Sequence, residues 1–457
     1  MIRSASSSIW ATEGRALVRL SIPLIIGNLA WSLIAATDLF LLGRLSADAV
    51  GAGALAMNLY HGFLIFGVGI GAAVSPMIAR ERGRRLHSVR EIRRSVRQSL
   101  WSVVALCIPV WLLLWHCEAL LLMLGQNPDL AAMAKGLMRG LQWSLLPYLC
   151  FMVLRNYMSA LERPVWGVVI VVAALPVNAL AGWCLIFGHL GAPPLGLFGA
   201  GLAGTFTALF MAGGSIILVL CDRQFRRYHL FGRLWAPDWP RFRYVWALGL
   251  PIALTLALEV TVFNASAFMM GLFGRAALAA HAIAIQISAL CFMVPMSIGQ
   301  AATIRVGFRY GQNDRAALGA AGWFALILGV GFAGIAAMIL FVFPRPLIAI
   351  FLDIDTPSNR EVTALAVSYL SIAALFQLVD CSQAIGAGAL RGLHDTRIPM
   401  LFAAAGYWVL GIGIGAFLAF RGGLAGVGIW LGLAAGLSVV AMLMVTRWGM
   451  RERFGLV

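Results

Sequence analysis

Asp38, Glu259 and Asp380 each interrupt a long apolar run. A charged side chain inside a spanning helix costs at least about 2.5–3.5 kcal/mol on insertion scales, so each carries a functional hypothesis by default. Glu259 lies sixteen residues from Arg243 and sixteen from Arg275, which at the helical rise is about 24 Å from either flank, near a bilayer midplane. Asp380 stands eleven residues before Arg391, about 16 Å deep by the same measure. Asp38 is six residues from Arg44, about 9 Å below the end of its helix. The chemistry open to such groups is reversible uptake of a proton or a cation, especially where two carboxyls lie close together. The bland reading of Glu259 and Asp380 is a neutral carboxyl hydrogen-bonded between helices, and that of Asp38, on position alone, an interfacial ion or cap. Polar neighbours follow helical spacing: Asn28 and Ser32 before Asp38, Thr255 and Ser266 around Glu259, Gln377 and Gln383 around Asp380. Such stripes face protein or water rather than lipid, and Asn28, Ser32, Thr255, Gln377 and Gln383 are expected to line a substrate cavity. His281 is a further candidate there, although a lone His reads first as a hydrogen-bonded interior residue.

The elements that position these residues follow from composition. Of 457 residues, 61% are hydrophobic and 11% charged, against roughly 45–50% and about 25% in soluble domains. A spanning helix needs about 20 apolar residues, and the runs between charges predict twelve spans at 17–43, 49–79, 96–122, 131–158, 164–188, 197–221, 244–273, 277–308, 316–343, 362–390, 398–420 and 424–446. With the N-terminus inside, 27 basic residues fall on the cytoplasmic side, eight of them arginines between Arg80 and Arg97, and 7 fall outside. The positive-inside rule then places both termini in the cytoplasm. The Arg80 to Arg97 run reads as topology and anionic-lipid contact. The first apolar run lacks the pattern of a cleaved leader and is expected to remain as a span. Cys107, Cys117, Cys150, Cys184, Cys221, Cys291 and Cys381 are scattered and odd in number, which reads as free thiols.

The stretch 222–243, with Arg226, Arg227, Pro237 and Pro240, is the one linker-like segment. It divides the chain into an N-terminal six-helix bundle (1–221), a cytoplasmic basic linker and a C-terminal six-helix bundle (244–457). A constant offset of 228 pairs Pro23 with Pro251, Gly43 with Gly271, Ala52 with Ala280, Gly71 with Gly299, Ser75 with Thr303 and Gly83 with Gly311. Ungapped agreement over about 60 residues outweighs chance matches between helices rich in Ala and Gly. Each half has an even number of spans, so the repeats share an orientation, with a pseudo-two-fold axis along the membrane normal and a binding site between the halves.

Several functions are excluded. Lys135 is the only lysine and follows no glycine loop, so the chain carries no phosphate-binding ATPase motif. Gly329, Gly331 and Gly334 form a G-x-G-x-x-G in mid-span with no strand before it, which reads as helix packing. The same reading covers Gly67/Gly71, Gly411/Gly415 and Gly432/Gly436. The seven His are dispersed, no catalytic constellation is visible, and neither an enzyme activity, a cofactor nor a nucleic-acid partner is expected.

The run Thr37-Asp38-Leu39-Phe40-Leu41-Leu42-Gly43, the two-times-six layout, Glu259, and Asp380 followed by Gly388-Ala389-Leu390-Arg391-Gly392 and Asp395-Thr396-Arg397-Ile398-Pro399 resemble a multidrug and toxic compound extrusion (MATE) transporter. Carrying both Glu259 and Asp380 is similar to the NorM-type branch, over essentially the whole chain. The resemblance implies an all-α membrane protein of two six-helix bundles around a central cleft, exporting cationic or amphipathic drugs against an inward proton or sodium. It implies a multi-pass monomer in the cell membrane, the inner membrane in a bacterium, with lipid and drug-like molecules as partners. It also implies a cation site in the N-terminal half, in which Asp38, Asn178 and Thr205 match while the first Asn position falls on Ala174. Alanine offers no side-chain oxygen, and a hard cation needs several, which leans the coupling toward protons and leaves sodium at Glu259 and Asp380 open. A lipid-linked oligosaccharide flippase of the same superfamily is the nearest alternative, disfavoured by acidic interior charge. A membrane-embedded transferase would need acidic or metal motifs on longer loops, and a channel would not need the repeat.

Overall fold

The computed structural model describes residues 2–84, 88–191, 193–354 and 356–457, with side chains from residue 8 onward. Arg85, one of the eight arginines between Arg80 and Arg97, and the side chain of Arg3 lie outside the described residues. Among the described residues the chain is helix and turn, and twelve helices are long and apolar enough to cross a membrane: α1 (Ser8–Leu45), α2 (Ala47–Arg84), α3 (Ser88–Trp115), α4 (Pro128–Ala160), α5 (Val165–Phe187), α6 (Gly196–Cys221), α7 (Trp239–Gly271), α8 (Arg275–Gly311), α9 (Arg315–Val342), α10 (Pro357–Gly392), α11 (Arg397–Arg421) and α12 (Ala425–Gly449). A helix satisfies its own backbone groups, which lipid cannot do, so these apolar runs fold this way. The twelve expected spans are present. The third is displaced, at 88–115 instead of 96–122: its first turns carry Glu91, Arg94 and Arg97, and it ends where His116 leaves helical geometry (φ −99°, ψ 28°) before a short helix at Cys117–Met123.

The helices form two compact units, one of Pro23–Ala253 and the other of Leu254–Val457 together with the residues up to Ile22. These units differ from the division at 222–243 in two places, because α1 and α7 each begin in one unit and continue into the other. Within the second unit the first part of α1 is held by Glu13, whose side chain is 0% exposed and forms a double hydrogen bond with Arg305 (3.0 and 2.8 Å), with Arg309 as a second partner at 2.8 Å. Leu17 and Leu20, farther along α1, are buried as well. Within the first unit the start of α7 buries Val245 and Leu248 against Ile70, Ala73 and Met77. Gly249 sits so close to α2 that a Cβ would stand 2.8 Å from the Ile70 Cα.

Residues 222–243 are packed rather than loose. Phe225, Tyr228 and Leu230 are buried, with Tyr157 meeting the first two rings at 5.7 and 5.9 Å. Arg97 donates to the Arg233 carbonyl at 2.8 Å and Trp101 to that of Leu234 at 2.9 Å. Arg94 donates to Asp238 at 2.6 Å. Burial would raise the Asp238 carboxyl, but that hydrogen bond and the charges of Arg94 and Arg241 outweigh it and hold the group below the usual carboxylate range. In the second unit, α11 and α12 meet through glycines: a Cβ on Gly432 would stand 2.2 Å from the Gly415 Cα, and one on Gly436 2.7 Å from that of Gly411. For these two pairs the glycine spacing read from sequence is a packing device, whereas in the G-x-G-x-x-G only Gly329 is closely packed and a Cβ at Gly331 or Gly334 would meet nothing within 4 Å. The seven cysteines are free thiols, three of them (Cys107, Cys117 and Cys381) buried.

Candidate ion-coupling site

In the first unit α1 brings a half-buried Asp38 to Asn178 on α5. The Asn178 Nδ2 donates to Asp38 Oδ1 at 2.8 Å, and its own Oδ1 has no hydrogen-bond partner among the described residues. Ala174, one turn earlier on α5, is fully buried and adds no polar atom. Thr205 gives its hydroxyl proton to the Gly140 carbonyl at 2.7 Å. Asp38 and Asn178 both line a cavity of about 310 Å³, and the threonine on its wall is Thr207. Its aromatic lining includes Trp31 and Tyr148, with ring centroids 4.6 Å apart, and Tyr60, whose hydroxyl shares a 2.6 Å hydrogen bond with Ser144. Asn58 and His61 complete its polar wall. Small-molecule sites of roughly 300 Å³ and above, apolar with a few polar groups, have this character, and aromatic faces attract organic cations.

None of the six residues expected in a substrate cavity lines this one. Asn28 accepts a 2.8 Å hydrogen bond from Arg155, and Ser32 is half-buried outside the cavity lining. Arg155, counted as a cytoplasmic charge, is only 8% exposed. It stands five residues before the end of α4. The interior charge is therefore not acidic alone.

In the second unit Glu259 on α7 and Asp380 on α10 interact electrostatically with each other, and Glu259 also with Arg391. Tyr407 on α11 belongs to the same group. It is carried by π turns at Ala404–Ile412, a wider helix found frequently at functional sites. Nothing in its sequence spacing announces that geometry. The surroundings are buried and polar: Gln377 is 0% exposed with both amide atoms unpartnered among the described residues, as are Asp380 Oδ1, Gln383 Oε1 and the Tyr407 hydroxyl. Unpaired buried polar atoms are uncommon and costly, and those of Gln377 and Gln383 lie on α10 within three residues of Asp380. Thr255, one turn before Glu259, is buried as well. His281 meets Ser266 at 3.5 Å and the edge of Trp430 at a centroid distance of 5.6 Å, an interior residue of an aromatic cluster with Phe376. Among the described residues no group of three or more His, Cys, Asp and Glu is arranged to hold a metal ion.

The MatE family model matches residues 23–184 and 251–417, two stretches that begin at the repeat-related Pro23 and Pro251. The chain is 51% identical over 439 residues to the probable multidrug resistance protein NorM of Brucella suis biovar 1, covering 96% of this chain and 93% of that protein. It is 49% identical over 449 residues to its counterpart in Mesorhizobium japonicum, covering 98% and 96%. Among solved structures, the eukaryotic MATE transporter AtDTX14 superposes with a TM-score of 0.84 at 18% identity over 98% of this chain and 100% of that one. A MATE transporter in complex with MaL6 gives 0.86 at 19% over 97% of each. The fold, the twelve spans and the level of identity to these relatives agree: the chain belongs to the MATE family of multi-pass membrane transporters, in its NorM-type branch.

Proposed function

We propose that the protein is a cation-coupled antiporter that exports cationic and amphipathic organic compounds by alternating access, with both termini in the cytoplasm. Asp38 with Asn178 serves as one coupling site and Glu259 with Asp380 as the other. The wall of Trp31, Tyr60, Tyr148 and His61 beside Asp38 receives the drug. Protons are favoured over sodium. The observation that carries this preference is the sparse donor set of Asp38: an amide N–H points at the carboxylate, Ala174 stands where an oxygen ligand is expected, and the Thr205 hydroxyl is directed to Gly140. A hard cation needs several oxygens, whereas a proton needs only the carboxylate. Protonation removes the charge that attracts a cationic drug, so drug and proton compete for Asp38 and exchange becomes obligatory. The test is efflux from proteoliposomes with each gradient imposed separately. An inward proton gradient without sodium should drive it, and Asp38→Asn should depress it strongly. Efflux that requires sodium at fixed pH and ignores a proton ionophore would overturn the proton assignment.

A further inference from the structure

The constant offset of 228 extends to residues that hold the first parts of α1 and α7. Leu17 and Leu20 correspond to Val245 and Leu248, and all four are buried. Pro23 and Pro251 correspond next, each standing inside its helix, where proline has no backbone N–H to donate. The offset also pairs Glu13 with Arg241 and Glu81 with Arg309. In the second unit Glu13 binds Arg309, with Arg305 as a further partner. In the first unit Arg241 lies 3.8 Å from Glu81 and hydrogen-bonds Glu91. The same two repeat positions therefore meet in both units with their charges exchanged. At the position of Arg305 the first unit has Met77, so the Glu13 site carries two cations and the Arg241 site carries none at that place.

We infer that Glu13 and Arg241 are positioning residues that anchor the two helices bearing the coupling carboxylates, each by a charge only its own cradle accepts. Residues before Pro23 belong to the unit of Glu259, whereas Asp38, on the same helix, belongs to the other. Residues before Pro251 belong to the unit of Asp38, whereas Glu259, farther along that helix, belongs to the other. Each coupling carboxylate thus shares a continuous helix with an anchor in the opposite unit, and that helix is the covalent route by which ion binding in one unit acts on the other. Reversed polarity gives each helix start its own address between two cradles that the repeat makes otherwise alike. Glu13 placed against Glu81 and Glu91, or Arg241 against Arg305 and Arg309, would bury like charges together. The transport role rests on the antiport reading above, whereas the docking role does not.

The test uses the full chain with ethidium as probe. Glu13→Gln and Arg241→Gln should bind ethidium within about twofold of the unsubstituted protein, yet transport it roughly tenfold more slowly or worse, with Glu13→Asp retaining most transport. Adding Arg305→Met and Arg309→Glu to Glu13→Arg installs the Arg241, Met77 and Glu81 pattern in the other cradle. It should recover both transport and thermal stability lost in Glu13→Arg alone, whereas adding Glu81→Arg should recover neither. Undiminished transport in both neutral variants, or equal recovery by Glu81→Arg, would overturn the inference. The recovery of Tm is read in detergent without transport, so failure of the anchors and failure of the antiport reading are distinguishable.

Discussion

The two units hold their acids in different company. Asp38 is a single carboxylate beside a neutral amide, open to a cavity with aromatic walls. Glu259 and Asp380 are two carboxylates that share their surroundings with Arg391, Tyr407 and unpartnered glutamine amides. By formal charge Arg391 offsets one of the two acids, so each site is left with one uncompensated carboxylate. The difference lies in what can reach that charge. Asp38 opens on a cavity of about 310 Å³ and the second cluster is set among buried polar atoms; on the proposed reading the first admits an organic cation and the second a proton or small ion. Two repeat-related units thus carry two unlike polar interiors, and the unlikeness is a reason to expect that drug and coupling ion do not use both units equally.

The comparison breaks most severely at the two-acid site. Glu259→Gln or Asp380→Asn leaves Arg391 balanced by the remaining carboxylate with no exchangeable charge, so uphill efflux should fall by about a hundredfold or more. Normal membrane expression would accompany that loss, and efflux at the unsubstituted rate would refute the assignment. Asp38→Asn comes next. Its efflux should drop roughly tenfold or more, and the loss should be accompanied by weaker binding of cationic than of neutral amphipathic drugs. Equal weakening for both would show that Asp38 does not read substrate charge.

Ala174→Asn sharpens the comparison instead of breaking it, since it supplies the oxygen that the first unit lacks. Sodium at fixed pH should then stimulate efflux a few-fold, at a packing cost of about 1–3 kcal/mol because Ala174 is fully buried. No sodium response in a folded variant would mean that the missing ligand is not what sets ion choice. The smallest effect is at Asp238. Its carboxyl is held below the usual range by Arg94 and Arg241 despite burial, so its contribution is present at neutral pH and is lost as pH falls through that lowered value. Asp238→Asn should cost about 1 kcal/mol or less at pH 7. The difference in Tm from the unsubstituted protein should shrink on acidification, and a difference that grows instead would contradict the ion-pair account.

Much of this was visible in the residues themselves. Apolar run length predicts all twelve helices, because a membrane permits few alternatives, and the energetic cost of a buried acid singles out Asp38, Glu259 and Asp380. Partners distant along the chain were not visible. Glu13 meets Arg305 across 292 positions, and no local spacing signals that contact, although the offset of 228 supplies its counterpart at Arg241. Asn28 looked like a cavity residue until Arg155 claimed its amide oxygen, since helical spacing gives a face but not what covers it. Tyr407 depends on π turns that shift a side chain off the regular helical periodicity. Asp38 and Asn178 were joined by family resemblance alone, and their 2.8 Å hydrogen bond gives that pairing a physical content.

The most direct measurement is proton release on drug binding. Purified protein in weakly buffered solution near neutral pH, without sodium, is titrated with ethidium while a pH indicator counts protons. Competition at Asp38 predicts that the unsubstituted protein releases protons as drug binds, and that Asp38→Asn releases markedly less while Glu259→Gln keeps most of the signal. Binding with no proton release, or release undiminished by Asp38→Asn, would contradict the account.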